Sequence, residues 1–280
     1  MTTRLMDFWP IVVRIVIALL ALKLLVWWLE PKLAFFPIRG VQDTPGGVGV
    51  PFQDVQIETA DGERLHAWWL ERRDGIAQVV FFHGNGGNLS LWLDILAEMW
   101  RRGFSVLAVD YRGYGASTGR PSEQGLYRDG EATVRAFRER LRKNGLPILY
   151  WGRSIGAPVA VHAANAAKPD ALVLETSMPD VRSVLRTNPI LWLLSFFSSY
   201  RFPTSRLLEG YDGPLLVIHG DADSIVPFSG GRRVFERAPT GRKTFVVIPG
   251  ADHNDLHIVD PRMYWDSIEK FIESLDAPRR

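Results

Sequence analysis

From residue 52 to the C-terminal end, eight short apolar runs alternate with longer amphipathic stretches. The strand-like runs are VQIETA, RLHAWWL, AQVVFFHG, SVLAVD, ILYWG, ALVLET, PLLVIHG and KTFVVIPG. Helical periodicity covers residues 91–102, 122–143, 155–167, 230–237 and 261–275. This alternation is typical of a mostly parallel sheet with helices on both faces. Because no second linker interrupts the pattern, we predict a single α/β domain over residues 52–280.

The N-terminal segment contains a long apolar run, IVVRIVIALLALKLLVWWL at residues 11–29, which only Arg14 and Lys23 interrupt. A run of about 20 residues is long enough to cross a bilayer. Both charges lie toward the ends of the run, where long side chains can reach the interface. We predict an uncleaved membrane anchor over residues 1–32, with an interfacial helix or a cleaved signal peptide as alternatives. Tryptophans that would lie at the two interfaces occupy positions 9, 27 and 28.

The segment that follows, IRGVQDTPGGVGVP, is rich in glycine and proline. Such a composition is typical of a linker or of an irregular entry to a domain. We therefore predict a linker over residues 33–51, and we expect a chain that begins near Val41 to be soluble and to keep its chemistry. The few positive charges on either side of the apolar run do not predict which way the anchor crosses the membrane.

Composition excludes several functions. The net charge is +2, and the 33 basic residues are scattered, so nothing indicates a nucleic-acid partner. The chain has no cysteine, which excludes disulfides, thiolate catalysis and cysteine metal sites. A hydrophobic content of 46% indicates a globular protein with a sizeable core.

One serine lies between two glycines in the stretch WGRSIGA, directly after the apolar run PILYW. A strand that turns sharply into a helix holds the corner residue in strained backbone geometry, and the residues two positions away must be small. Gly152 and Gly156 meet that requirement around Ser154. The stretch therefore indicates a nucleophile at Ser154, with an ordinary Ser/Gly turn as the alternative.

A serine hydroxyl needs a base that removes its proton and an acid that orients the base. His253, in PGADHND, follows the apolar run KTFVVI and is the predicted base. The acid is predicted in IHGDADSIVP, after the run PLLVI, where spacing alone leaves Asp223 and Asp221 open. Glu175, at the end of ALVLET, is a more remote choice.

The other histidines have simpler structural interpretations. His257 forms an i, i+4 pair with His253, which raises the question of a metal site, but Asn254 stands where a zinc protease carries its glutamate. No cofactor and no metal are predicted. The histidines interpreted as structural are His66, His83, His162 and His219.

The glycine-rich stretch FFHGNGGN follows an early strand-like run. Acyl transfer places negative charge on a carbonyl oxygen, and losing one N–H group that binds this charge costs about 3 to 4 kcal/mol. Glycines let the backbone approach that closely, so we predict an oxyanion hole formed by the Asn85 and Ile155 N–H groups. A phosphate loop or a dinucleotide site is the alternative, but neither glycine signature is complete here.

An aromatic insertion of about 35 residues, residues 178–212, separates ALVLET from PLLVIHG. We interpret it as a short helical lid, with a helix packed on the sheet as the alternative. On the lid interpretation, Trp192, Phe196 and Phe197 would line an acyl site.

Taken together, the sequence resembles the α/β-hydrolase superfamily, and within it the membrane-anchored branch that includes protein depalmitoylases and lysophospholipid lipases. The segments that carry the resemblance are LAFFP, FFHGNGGN, VDYRGYGASTGRPSEQGLYRD, GRSIGA, HGDADSIVP and GADHND. The resemblance implies an α/β-hydrolase fold, Ser154 as nucleophile, His253 as base and Asp223 as acid. It also implies the Asn85 and Ile155 N–H groups as oxyanion donors, and structural roles near the site for Asp110 and Arg112.

The resulting hypothesis is a bilayer-anchored serine hydrolase that cleaves an acyl ester or thioester. The anchor would hold the site near lipid, which favours a long acyl substrate over a small polar one. The alternatives are a serine peptidase and a non-catalytic binding or scaffold protein with the same fold.

Overall fold

A computed structural model describes residues 3–143 and 145–275. The helices are α1 (Thr3–Ala34), α2 (Leu93–Arg101), α3 (Glu123–Lys143), α4 (Gly156–Ala166), α5 (Val181–Leu185), α6 (Pro189–Leu194), α7 (Thr204–Leu207), α8 (Phe228–Arg237), α9 (Leu256–Val259) and α10 (Pro261–Glu273). The strands are β1 (Phe36–Pro37), β2 (Gln53–Glu58), β3 (Arg64–Leu70), β4 (Ala77–Phe82), β5 (Gly86–Gly87), β6 (Phe104–Val109), β7 (Ile148–Arg153), β8 (Ala171–Glu175), β9 (Leu215–Gly220) and β10 (Lys243–Ile248). The predicted elements are present, with ends that differ by a few residues.

The main sheet has eight strands in the order β10-β9-β8-β7-β4-β6-β3-β2. The six strands from β10 to β6 are parallel, whereas β3 is antiparallel to β6 and β2 is antiparallel to β3. The carboxyl ends of the parallel strands therefore meet at one edge. Ser154, Asp223 and His253 follow β7, β9 and β10 at that edge.

Helices cover both faces of this sheet, as the alternation predicts. The strands β4, β6, β8 and β9 are buried at every position, which matches their nearly continuous apolar sequences. One core lies under α3 and α4, and the other lies under α2 and α10. The predicted α/β-hydrolase fold with a mostly parallel sheet is thus confirmed.

The helix α1 begins the described chain and contains a candidate membrane span of 26 residues, Trp9–Ala34, within which an 18-residue stretch has a mean hydropathy of 2.4. By length and composition this helix could cross a membrane. Its first two-thirds project away from the domain, since the side chains from Trp9 to Ala21 are exposed. Only the last turns, from Leu22 onward, lie against the domain.

The segment predicted as a linker, residues 33–51, is packed on the domain. Strand β1 pairs in parallel with β5, and Phe35 and Val50 are buried in the two cores. The glycines and prolines give the segment an irregular path. Backbone hydrogen bonds to the neighbouring loops nevertheless hold the segment in place.

The insertion between β8 and β9 forms three short helices, α5, α6 and α7. None of the residues of α5 or α6 is buried. Val181 and Val184 of α5 are partly buried and pack against the core under α3 and α4. Both helices cover the edge where Ser154 lies. Because of this position we call the segment that contains α5 and α6 the lid.

Candidate active site

Ser154 occupies the corner between β7 and α4 with φ = 54°, a left-handed conformation that non-glycine residues seldom adopt. A Cβ atom on Gly152 would lie 2.4 Å from the Gly156 carbonyl oxygen. A Cβ atom on Gly156 would lie 2.0 Å from the Phe82 carbonyl oxygen. Both glycines are therefore required by close backbone approach, which is the reason the sequence pattern suggested, and the turn presents Ser154 at the sheet edge.

The structure brings three of the predicted residues into one hydrogen-bonded row. The Ser154 Oγ lies 3.0 Å from the His253 Nε2. On the other side of the ring, the His253 Nδ1 lies 2.9 Å from the Asp223 Oδ2. In the tautomer with the proton on Nδ1, His253 donates to Asp223 and accepts from the Ser154 hydroxyl, which is the arrangement that activates a serine.

Asp223 is held as an ionised acceptor. Burial by itself would raise its pKa, but hydrogen bonds from His219 and His253 outweigh that effect, and the pKa of Asp223 lies well below its usual range. The backbone N–H groups of Ile225 and Val226 also donate to its Oδ1, at 3.0 and 2.8 Å. The carboxylate is therefore fixed in position and charged throughout the neutral pH range.

The two other acid candidates lie elsewhere. Asp221 is exposed, and its Oδ1 accepts from the Gly250 N–H at 2.7 Å, so it braces the loop that carries His253. Glu175 is fully buried behind the site, and burial raises its pKa. Neither carboxylate hydrogen-bonds to the His253 ring among the residues that the structure describes.

A buried polar network that sequence reasoning missed lies under His253. Glu175 forms an ion pair with Arg153 at 3.7 Å and accepts a hydrogen bond from the Tyr264 hydroxyl. Arg153, also buried, donates to the His253 carbonyl oxygen at 3.2 Å. This network ties the histidine loop to the strand that carries Ser154. The sequence offered one signal of this network, namely an arginine, Arg153, directly before Ser154 at the end of an apolar strand.

The loop of Asn85 is the predicted oxyanion loop. Among residues 3–143 and 145–275, neither the Asn85 N–H nor the Ile155 N–H donates to another protein atom. The Asn85 side chain donates to the Ala34 carbonyl oxygen at 2.6 Å, and the Tyr114 hydroxyl donates to the Asn85 carbonyl oxygen at 3.0 Å. Two N–H groups beside Ser154 thus remain available to an anionic oxygen, and side chains hold the loop in place.

The segment before the domain braces the same loop. The Ile38 N–H donates to the Gly87 carbonyl oxygen at 2.9 Å, and the Asn88 side chain donates to the Gly40 carbonyl oxygen at 2.7 Å. Residues 33–40 are therefore part of the support of the candidate oxyanion hole. The expectation that a chain beginning at Val41 keeps its chemistry overlooks these contacts.

Asp110 and Arg112 both make structural contacts, and they do not pair with each other. The Asp110 Oδ1 accepts from the Leu89 N–H at 2.9 Å, which fixes the end of the oxyanion loop. Arg112 is held between two carboxylates, Asp129 and Asp61, each at 2.8 Å.

The histidines interpreted as structural are engaged in contacts away from Ser154. His66 lies between Asp54 and Asp110, His162 lies against Glu131, and His83 is fully buried. His219 differs, because its Nε2 lies 3.2 Å from the Asp223 Oδ2 and it supports the acid directly. Among the described residues, no group of three or more histidine, aspartate or glutamate side chains could hold a metal ion.

A cavity of about 1020 Å³ opens at Ser154 and His253, and its lining is largely apolar. The lid contributes Leu191 and Leu194 to its wall. The prediction that Trp192, Phe196 and Phe197 line the site is wrong, because none of the three reaches the cavity. On this short helix, positions 191 and 194 share the inner face, whereas Trp192 and Phe196 pack edge to face on the outside. Trp192 and Phe196 are not core packing either, since they are 37% and 50% exposed, whereas Phe197 is half-buried.

The sheet order and the serine at the turn after β7 are those of an α/β-hydrolase. Residues 74–213 match the family described as serine aminopeptidase, S33, and the chain belongs to this family within the α/β-hydrolase superfamily. The matched range includes Ser154 and both candidate oxyanion donors, and it ends before Asp223 and His253.

Relatives of similar length extend the likeness over most of the chain. An uncharacterized protein of Mycobacterium tuberculosis is 33% identical over 268 residues, which are 94% of each chain. An uncharacterized membrane protein of Saccharomyces cerevisiae is 29% identical over 240 residues, 84% of each chain. An alpha/beta hydrolase domain-containing protein of Arabidopsis thaliana, WAV2, is 28% identical and covers 90% of each chain.

Solved structures share the fold at low identity. An esterase from Pyrococcus furiosus superposes with a TM-score of 0.71 at 21% identity, covering 86% of this chain and 98% of the esterase. A soluble variant of the monoglyceride lipase from Saccharomyces cerevisiae, in complex with a substrate analog, superposes with a TM-score of 0.67 at 16% identity, covering 88% and 100%. At these identities the likeness establishes the fold.

Proposed function

We propose that this protein is a membrane-anchored serine hydrolase that cleaves the carboxylic ester or thioester bond of a long-chain acyl substrate. The observation that carries the proposal is the row Ser154, His253 and Asp223 at the mouth of a largely apolar cavity. Esterases and a monoglyceride lipase among the structural neighbours add support through the fold they share.

The first half-reaction begins when Ser154 Oγ attacks the carbonyl carbon while His253 Nε2 takes the hydroxyl proton. The carbonyl oxygen becomes an anion and accepts hydrogen bonds from the Ile155 and Asn85 N–H groups. Donors that are fixed before the reaction need no reorganisation at the moment when the charge forms. The tetrahedral intermediate then collapses, the carbon–oxygen or carbon–sulfur bond breaks, and His253 returns the proton to the leaving alcohol or thiol.

The second half-reaction uses water on the acyl-enzyme. His253 takes a proton from the water, the hydroxide adds to the acyl carbon, and the anion is again bound by the two N–H groups. Collapse releases the fatty acid, and the proton goes back to Ser154. Asp223 keeps the imidazole in the required tautomer and stabilises the imidazolium through both halves. The sum is one ester or thioester and one water giving one acid and one alcohol or thiol, without any cofactor.

The experiment that tests this function is labelling of the full chain, in membranes, with a fluorophosphonate probe, followed by competition with a panel of acyl esters and thioesters. We expect labelling, protection by long-chain acyl substrates, and release of free fatty acid. Absence of both labelling and hydrolysis across the panel would contradict the proposal and would favour the binding or scaffold alternative.

The peptidase alternative takes its support from the name of the family. An aminopeptidase needs a carboxylate that is free to bind the substrate amino group. Two carboxylates line the cavity. Glu30 is engaged by backbone N–H groups of the lid, at 2.9 Å from Ser199 and 3.1 Å from Tyr200, whereas the exposed Asp94 forms no hydrogen bond or ion pair among the described residues and is the candidate for that role. Aminoacyl amide substrates belong in the same panel, and turnover of these above the esters would favour the peptidase.

Anchoring by α1 is part of the proposal, supported by the length and hydropathy of the helix and by the yeast relative named a membrane protein. Burial of an apolar helix in hydrocarbon is not screened by salt. We therefore expect the full chain to remain in the membrane fraction after washing with high salt and with alkaline carbonate. Recovery in the supernatant after salt alone would contradict insertion.

Two shortened chains separate the anchor from the brace of the oxyanion loop. A chain that begins at Glu30 keeps β1 and the contacts of residues 33–40, and we expect it to leave the membrane and to hydrolyse a butyrate ester. A chain that begins at Val41 loses four described hydrogen bonds to Asn85, Gly87 and Asn88, each contributing about 0.5–1.5 kcal/mol, and the buried Phe35. We expect its kcat to be at least about tenfold lower and its Tm to fall. Equal kcat and Tm in the two chains would contradict the brace.

A further inference from the structure

One wall of the cavity is formed by the N-terminal helix itself. Val26, Leu29 and Leu33 of α1 line the cavity together with Leu191 and Leu194 of α6. The α1 positions are spaced i, i+3 and i+7, so they occupy one face of the helix. The cavity that opens at Ser154 is thus bounded on one side by the helix that also carries the predicted membrane span.

The length of α1 determines how deep in the bilayer this wall of the cavity lies. The span of 26 residues is about 39 Å long at 1.5 Å per residue, whereas a hydrocarbon core is about 30 Å thick. With Trp9 at the far interface, about 20 residues fill the core, and the near interface falls at Trp28. The Lys32 ammonium lies 3.9 Å from the centre of the Trp28 ring, a pairing suited to the headgroup region. The wall residues 26–33 therefore lie at the boundary, where the ester groups of membrane lipids also lie.

The lid helix α6 is apolar on both sides. Its inner residues line the cavity, its outer face exposes Ile190 and Leu193 by 71% and 61%, and Phe196, two residues after the helix, is 50% exposed. An exposed apolar patch of this kind marks contact with a membrane or a partner. Because the patch lies on the lid that α1 holds, the bilayer that receives α1 is the occupant that fits it.

The contact between α1 and the lid is specific. The Glu30 carboxylate accepts hydrogen bonds from the Ser199 N–H at 2.9 Å and the Tyr200 N–H at 3.1 Å, and it is buried. Phe35 packs edge to face on the Tyr200 ring at 5.3 Å. These contacts fix the end of the membrane helix against the lid, with the apolar wall of α1 on the cavity side.

We propose that the substrate is a membrane-resident lipid with a single long acyl chain, and that this chain enters the cavity sideways from the bilayer between α1 and α6. This inference rests on the proposed function, since it concerns the acyl substrate of Ser154. The chain leaves hydrocarbon and enters an apolar cavity, so it never crosses water. The volume of about 1020 Å³ is at the upper end for small-ligand pockets and accommodates one long chain.

The test compares two tryptophan substitutions on one helix. Leu29→Trp places a larger side chain in the part of the cavity that α1 lines. Leu24→Trp makes the same change on the opposite side of α1, away from the cavity. Each full chain is placed in phospholipid vesicles, and kcat/KM is measured for a palmitoyl and a butyryl ester of the same fluorogenic alcohol. For Leu29→Trp we expect the palmitoyl-to-butyryl ratio to fall at least about tenfold, the loss expected when two methylenes leave an apolar wall. For Leu24→Trp we expect the wild-type ratio.

The outcomes separate this inference from the proposed function. If the wild-type chain hydrolyses neither ester, the proposed function fails. If it hydrolyses both and Leu29→Trp leaves the ratio unchanged, the α1 wall does not bind the chain and the inference is overturned. Labelling of each variant by a small fluorophosphonate verifies that its site is folded.

A second measurement needs no variant. A fluorophosphonate with a long alkyl chain and a terminal diazirine labels Ser154 of the wild-type chain in vesicles and is then photolysed. We expect crosslinks to peptides that contain residues 26–33 and 191–194. Crosslinks only to peptides outside α1 and α6 would overturn the proposed path.

Discussion

Replacing Ser154 with alanine is expected to abolish labelling by a fluorophosphonate and to lower kcat by about 10⁶-fold. The variant keeps the cavity and the two N–H groups of the candidate oxyanion hole, but it has no atom that can form the acyl-enzyme. Thermal unfolding should change little, because the Ser154 side chain is only half-buried and its hydroxyl bonds chiefly to His253. The measurements are probe labelling, ester turnover and a melting curve on the same preparations.

The matched control is Ser274→Ala, which removes a hydroxyl from the end of α10, far along the chain from the site. We expect this variant to label and to turn over ester like the wild type. Retained labelling in Ser154→Ala would show that another residue carries the covalent step. In that case the assignment of the nucleophile is wrong.

The second large effect is expected for Asp223→Asn, which should lower kcat by about 10⁴-fold. The amide oxygen of an asparagine would stay on the Ile225 and Val226 N–H groups, which bind Oδ1 now. The amide NH₂ would then face the His253 Nδ1. The Nδ1 atom must accept that hydrogen bond, so the imidazole proton moves to Nε2. With Nε2 protonated, His253 cannot take the proton of Ser154.

Asp221→Asn is the matched control, because it makes the same chemical change two residues away. Among residues 3–143 and 145–275, the Asp221 side chain accepts from the Gly250 N–H alone, and an asparagine oxygen can do the same. We expect its kcat to stay within a few-fold of the wild type. A larger loss for Asp221→Asn than for Asp223→Asn would reverse the choice of acid.

The turn that carries Ser154 was predictable because the residues that define it are close together in the sequence. Strand, turn and helix follow one another within a few residues around Ser154, and the small residues at 152 and 156 are required by backbone contacts inside that turn and with β4. The order of the candidate acid and base after successive strands also follows from a parallel sheet, whose carboxyl ends meet at one edge. The choice between Asp221 and Asp223 was not local, and only the resemblance indicated it.

The lid shows where pattern reasoning fails. A run that contains Leu191, Trp192, Leu194 and Phe196 is apolar nearly all round, so no periodicity distinguishes the inner face from the outer face. The large aromatics looked like the natural lining of an acyl site. The structure instead turns Leu191 and Leu194 inward and leaves Trp192 and Phe196 outside.

The sequence by itself determined the fold class, the strained serine turn, the candidate base, the loop that carries the candidate acid, and an apolar helix long enough to cross a membrane. Each of these depends on residue types within one element or on the order of elements along the chain. Only the tertiary structure decided that residues 33–40 brace the oxyanion loop and that α1 forms a wall of the cavity. The physical reason is that these contacts join distant parts of the chain: Asn85 meets Ala34 across 51 positions, and Glu30 meets Ser199 across 169. No local pattern encodes such a meeting, because it exists only once the sheet has set the path of the chain.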